Sequence, residues 1–335
     1  METVKKPFII AEIGSTHDGS FGNACNIIKV AAKCGANAVK IQTHCAEDET
    51  LPNAPSPHYF KDENRYDYFK RTEFSLEQLQ SLRKLCRKLK IEFFSSPFSL
   101  KAFEVLQKLN LNYFKIASGE VTNIPLLEKI NMTKKTVFLS TGMSDYSEIN
   151  KAINKLQKCK IILMQCTSNY PCEIKDVGLN VFDEFKKRFN SKVFDYGFSD
   201  HTMSPVSAIG SVLKGANYIE KHITLSKEMY GSDAKFAMEP PDFKNYCNFI
   251  NEAFILRKNI VEKKITPKLK KMKKIFEKSI VLDNDVKKGH VLKVSDLNFK
   301  KPGTGIKPIY YKKLIGKKIL KTLKKNTLIN KKHYK

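Results

Sequence analysis

The sequence has no apolar run approaching the roughly 18 residues of a membrane-spanning helix, which argues against a helical membrane protein. Its eight cysteines form no CxxC pair and no zinc-finger spacing, so reduced thiols of a cytoplasmic protein are the simplest reading. The N-terminal METVKKPFIIAEIG has only a short apolar segment and no small-residue cleavage site. Nothing there marks the chain for export, and a cytoplasmic location is expected. Arginine is missing after Arg257, although the C-terminal stretch is strongly basic. Residues 261–335 hold 24 lysines against five acids, a net +19, whereas residues 1–260 carry 36 basic against 29 acidic side chains, a net +7. A lysine-rich face without arginine and without a nucleic-acid fold motif reads as solvated surface, so nucleic acid is disfavoured as a partner.

What the chain does have is length, 335 residues at 41% hydrophobic, enough to bury one large core and a smaller one. Short apolar runs rich in β-branched and aromatic residues recur eight times, with helical stretches between them. They are PFIIAEIG (7–14), ANAVKIQTH (36–44), KIEFFSSPF (90–98), LNYFKIASG (111–119), TVFLSTGM (136–143), KIILMQCTSN (160–169), VFDYGFSDH (193–201) and ANYIEKHIT (216–224). The expected helices are NACNIIKVAAKCG, SLEQLQSLRKLCRKL with Ser75 as N-cap, SLKAFEVLQKLN, PLLEKI, DYSEINKAINKLQK and SPVSAIGSVLKG. Eight alternations of strand and helix predict an α/β fold of the (β/α)8 TIM-barrel type over residues 1–260.

Each run begins apolar and ends in groups able to do chemistry: Glu12; Lys40 and Gln42; Ser95 and Ser96; Lys115 and Ser118; Ser140; Thr167 and Ser168; Ser199 and His201; Glu220 and His222. A barrel brings all eight strand ends to one face, where active sites are built. Past residue 226 the pattern stops. A loop, SKEMYGSDAKFAMEPPDF, precedes a helix, NYCNFINEAFILRKNI; residues 261–275 read as a charged linker, and residues 276–335 as a small domain of short strands and turns with a helical YYKKLIGKKI.

Nine motifs in order, IAEIGSTHDGS, VKIQTH, FFSSPF, YFKIASGE, LSTGM, QCTSNYP, GFSDHT, IEKHIT and YGSDAKFAMEP, resemble the sialic acid synthase family. The tail KSIVLDNDVKKGHVL…KKPGTGI…LIGKKI resembles the antifreeze-like SAF domain that such synthases carry. The resemblance implies a transferase that condenses phosphoenolpyruvate with an N-acylated aminosugar, here N-acetylmannosamine, to a nine-carbon 2-keto acid with release of phosphate. A legionaminic, pseudaminic or spore-coat polysaccharide synthase acting on a 2,4-diacetamido-hexose is the alternative.

By the same resemblance, His201 and His222 hold Mn2+ or Mg2+, which polarises the sugar aldehyde. Lys40 and Lys115 supply charge to phosphoenolpyruvate, and Ser96, Ser118, Ser140, Ser168 and Ser199 supply hydroxyls. Glu12 is the acid/base group, while Gln42, Tyr170 and Asp233 contact the sugar. His17 and Asp18 lie in a turn beside Glu12, and Glu120 supports the metal site. The family has threonine at Ser96 and asparagine at Ser168. The SAF domain is expected to cap the partner's barrel in a domain-swapped homodimer. Lys301 there stands at the position of a family arginine, and so lacks the planar donor fork for the sugar's acyl group.

Overall fold

The computed structural model describes residues 5–56 and 63–335. Of the N-terminal segment considered for export, residues 1–4 lie outside the described residues. Eight parallel strands close into a barrel: β1 (Phe8–Gly14), β2 (Ala38–Thr43), β3 (Glu92–Pro97), β4 (Tyr113–Ile116), β5 (Thr136–Ser140), β6 (Lys160–Cys166), β7 (Asp195–Asp200) and β8 (Tyr218–His222), with β8 pairing back onto β1. The runs read from the sequence extend past these ends, because the small polar residues after each strand already belong to loops. His201 is thus the first residue after β7, while His222 ends β8.

All six expected helices form, and the Ser75 cap is a complete capping box with Gln78. Three others before residue 260 escaped the sequence reading: Ala46–Glu49, Arg65–Thr72 and Val181–Phe189. The last has a legible stripe, since Phe182, Phe185 and Phe189 fall on one helical face and are buried. The long helix Pro240–Lys258 begins five residues before the expected NYCNFINEAFILRKNI, its two prolines occupying the first turn, where no backbone donor is needed. The helices pack their apolar stripes on the outer face of the strands. No described helix is long and apolar enough to cross a membrane.

Contacts divide the chain into one unit ending at Ile260 and a second beginning at Val261. Within the second, a helix, Pro267–Phe276, occupies most of the segment read as linker, and none of its residues is buried. The antiparallel pair β9 (Ser279–Leu282) and β10 (Leu297–Lys300) encloses a small core with Leu292, Leu314, Ile319 and Ile329. The expected helix YYKKLIGKKI is instead a 3-10 helix, Pro308–Leu314, followed by extended chain that bridges Lys318 to Val291 and Ile319 to Tyr334. Gly316, at φ 81, turns the chain out of the helix.

Candidate functional site

Side chains two apart on a strand share a face, and inside the barrel this alternation builds two layers. Phe94, Phe138, Ile10, Ala38, Ile162 and Met164 form a plug, against which Tyr113 and Tyr218 pack. Two residues further along the same strands come Ser96, Ser140, Glu12, Lys40, Lys115 and Glu220. The apolar layer is therefore the floor of the polar one. Above it opens a cavity of about 550 Å3, and all thirteen barrel residues expected as site residues line it. A larger recess of about 720 Å3 is lined by residues at the strands' N-terminal ends, with Arg83, Arg87, Lys90 and Lys135 around Glu92. It holds neither histidine nor serine, and barrels use that end for stability.

At the floor, two lysines and two carboxylates are interlocked. Lys40 Nζ lies 2.9 Å from Glu12 and 3.8 Å from Glu220, and Lys115 Nζ donates to both oxygens of Glu220 at 2.7 and 2.9 Å. None of the four is more than 4% exposed. Burial pushes the Glu12 carboxyl up to about 7, Lys40 offsetting only part of it and Glu220 adding to it. Glu220 is as deeply buried, but Lys115 and Lys40 together hold it at about 2. Burial likewise depresses the Lys115 ammonium more than Glu220 restores it, whereas around Lys40 the two carboxylates outweigh burial and raise its pKa. Two neighbouring carboxylates are thus driven apart, one able to exchange a proton near neutrality and one permanently charged.

One step further along β7 and β8, with His222 paired in register with Glu12, the rings of His201 and His222 stand 5.7 Å apart, centroid to centroid. His201 Nδ1 donates to the backbone carbonyl of Thr167 at 2.9 Å, which leaves Nε2 with its lone pair toward the Tyr170 hydroxyl, 3.1 Å away. Burial lowers the His222 imidazole to about 4, so it is neutral at physiological pH, and its Nδ1 is buried without a hydrogen-bond partner. Asp233 Oδ2 is 4.0 Å from that nitrogen and is held by the backbone N–H and hydroxyl of Ser15. Among the described residues, no three His, Cys, Asp or Glu side chains are grouped to hold a metal. The donor set is therefore two imidazole nitrogens; around His201 the Cys166 thiol and the Thr167 carbonyl outweigh burial and raise the ring's pKa.

The hydroxyls differ in what they meet. Ser96 accepts from Lys40 at 3.3 Å, and Ser199 donates to Glu220 at 2.9 Å. Ser118 accepts the Gly142 N–H at 3.0 Å, and the Ser140 hydroxyl is buried without a partner. Gly142 has no room for a side chain: a Cβ there would lie 2.4 Å from the Ser168 hydroxyl and 3.0 Å from both Ser118 Oγ and Cys166 Sγ. Gln42 donates to Glu12 at 3.1 Å, while its carbonyl faces His44 Nε2 at 3.1 Å. The His44 ring is stacked against Phe69 and Phe98, and its Nδ1 is bonded to Glu49.

Several residues singled out in the sequence stand elsewhere. Lys301 belongs to the second unit, its ammonium 5.2 Å from the Phe276 ring. His17 is buried and Asp18 pairs with Arg71; neither lines the cavity. Glu120 does line it, and its carboxylate accepts from the Asn123 side chain at 2.7 Å. Glu220 was visible as a strand-end carboxylate yet absent from the expected site; its parity with Tyr218 and His222 in YIEKH is the signal that places it inside. Arg65 and Cys166 also line the cavity. Burial opposes ionisation of the Cys166 thiol, and the adjacent His201 more than offsets it, leaving its pKa below the ordinary value.

Residues 27–262 match the NeuB family and residues 277–335 the SAF domain. The chain is 35% identical to the N,N'-diacetyllegionaminic acid synthase of Campylobacter jejuni over 97% of this chain and 99% of that one. It is 32% identical to the pseudaminic acid synthase of Helicobacter pylori, covering 97% and 96%. Among solved structures it resembles the N-acetylneuraminic acid synthetase of Leptospira borgpetersenii, with a TM-score of 0.70 and 27% identity over 80% of this chain and 90% of that one. With two relatives above 30% identity along almost their whole length, this chain is a member of the NeuB family that carries a C-terminal SAF domain.

Proposed function

We propose that this protein condenses phosphoenolpyruvate with the open-chain form of an N-acylated aminosugar, yielding a nine-carbon 2-keto acid and phosphate. In that reaction C3 of phosphoenolpyruvate attacks the sugar aldehyde, water adds at C2, and the phosphate leaves. The observation that carries the reading is the floor of the cavity, where a carboxyl with a pKa near neutrality stands beside two buried lysines and a ring of serine hydroxyls. Lys115 and Lys40 attract the phosphate and carboxylate of phosphoenolpyruvate, and the unpartnered Ser140 hydroxyl is free to donate to it. Glu12, at about 7, exchanges the proton that the attacking water and the sugar oxygen require. Gln42, between Glu12 and His44, orients the sugar beside it, and Asp233 and Tyr170 complete that side.

His201 Nε2 and the unpartnered Nδ1 side of His222 fit a divalent cation of the Mn2+ or Mg2+ class, with open positions left for water and substrate oxygen. Such a cation supplies Lewis-acid polarisation of the aldehyde. Lys301 and a homodimer are assigned by resemblance alone, and a cytoplasmic location fits a biosynthetic enzyme acting on these substrates.

Two sugars are in contention. N-acetylmannosamine corresponds to the product named for the Leptospira structure. A 2,4-diacetamido-hexose corresponds to the legionaminic and pseudaminic synthases. The experiment is a parallel incubation of the protein with Mn2+, phosphoenolpyruvate and each sugar, followed by phosphate release and mass spectrometry. A nine-carbon keto acid from one sugar assigns the substrate; no phosphate release with any N-acylated aminosugar refutes the reaction.

A further inference from the structure

The seam between β7 and β8 carries a buried ion pair outside the cavity. Asp200 is paired in register with Lys221, and each immediately precedes one of the two histidines. Both alternate away from the barrel interior, opposite to Ser199 and Glu220, and neither is more than 1% exposed. Asp200 Oδ2 lies 3.4 Å from Lys221 Nζ and accepts the Tyr246 hydroxyl of the helix Pro240–Lys258 at 2.9 Å. Its Oδ1 accepts the Thr202 N–H at 2.9 Å, the Thr202 hydroxyl at 2.8 Å and the Ser207 hydroxyl at 3.2 Å. Lys221 Nζ donates in turn to the Thr202 carbonyl. Thr202, the residue after His201, is therefore held at its amide, its hydroxyl and its carbonyl.

Stability alone does not account for this cluster. Desolvating two charges costs several kcal/mol, and apolar residues of similar volume in place of a buried pair often leave stability unchanged or improved. What an ion pair adds is direction. Here it locks the register of β7 against β8 one residue before each histidine and clamps the turn that follows the first. We propose that Asp200 and Lys221 are positioning residues which, through the backbone, set the separation and orientation of His201 and His222 for a divalent cation. This rests on the metal reading above. Groups that orient metal ligands from outside the coordination sphere commonly change affinity by about 10–100-fold when removed.

The test is Mn2+ binding to the full-length protein, read as loss of the free-ion electron paramagnetic resonance signal, beside a thermal melt. The double variant Asp200→Asn with Lys221→Met replaces the pair by groups of similar size. It is expected to melt close to the wild type while its Mn2+ affinity falls about 10–100-fold and the bound-ion spectrum changes. A folded double variant that binds Mn2+ as the wild type does overturns the proposal. Should the double variant fail to fold, Tyr246→Phe removes only the helix's bond to Asp200. A several-fold weaker Mn2+ affinity at unchanged melting temperature supports the proposal, and unchanged affinity overturns it. Absence of Mn2+ binding by the wild type itself is a different outcome, which removes the metal reading and this inference with it.

Discussion

Acidification should weaken the fold through His17, by an amount the structure sets. The ring is 3% exposed, packs 4.4 Å from Phe74, and accepts the Gly19 N–H on Nδ1 at 3.0 Å, an arrangement that leaves no place for a second ring proton. Burial, aided by His44 and opposed by Asp233, lowers its pKa to about 4. In the unfolded chain the imidazole has its ordinary pKa of about 6.5, so between these values the unfolded state binds the extra proton and stability falls as pH falls. The loss is close to zero at pH 7, about 2 kcal/mol at pH 5, and about 3 kcal/mol at pH 4. Urea unfolding of the wild type and of His17→Asn at these three pH values isolates the contribution. The variant keeps an acceptor near Nδ1, loses ring packing equally at every pH, and has no imidazole to titrate. The reasoning is refuted if the stability difference between the two proteins stays constant from pH 7 to pH 4. The effect reaches the cavity as well, because the same turn carries Ser15, which holds Asp233.

Glu12→Gln should lower kcat by about 10²–10⁴-fold while the protein remains folded, and a steady-state assay showing less than about a tenfold loss would remove Glu12 as the acid/base group. Gly142→Ala forces a Cβ to within 2.4 Å of the Ser168 hydroxyl and 3.0 Å of Ser118. It should cost about 1–3 kcal/mol and raise KM for phosphoenolpyruvate; a lowered melting temperature with unchanged KM would separate those serines from that substrate. Ser75→Ala deletes a capping box that does not line the cavity, and should reduce stability by about 1 kcal/mol in a urea titration with no change in turnover.

The barrel was legible because its strands are short β-branched and aromatic runs at regular spacing, a signal that survives errors of two or three residues at each end. The cavity was legible for a related reason: strand ends such as GFSDHT and IEKHIT carry costly polar groups that a closed sheet must gather on one face. Side-chain parity carried more than was taken from it, since Tyr218, Glu220 and His222 share a face and Glu220 is the hub of both lysines. What could not be read was partnership across the sequence. His44 between Phe69 and Phe98, or Tyr246 on Asp200, depends on helices whose docking no local pattern encodes. The helix Val181–Phe189 was overlooked because charged residues between its phenylalanines resemble a solvated loop, and YYKKLIGKKI was overread because its lysine spacing suits a helix that Gly316 then interrupts.

The aromatic plug beneath the polar layer has a consequence for traffic. With Phe94, Phe138, Tyr113 and Tyr218 in ring contact across the interior, the barrel is a blind well with one mouth. Whatever binds at the lysine floor enters before, and leaves after, whatever binds above it. Under the proposed reaction, phosphoenolpyruvate must precede the sugar, and a sugar bound first would act as a stopper. The order of addition is thereby written into the barrel's depth rather than into any moving part.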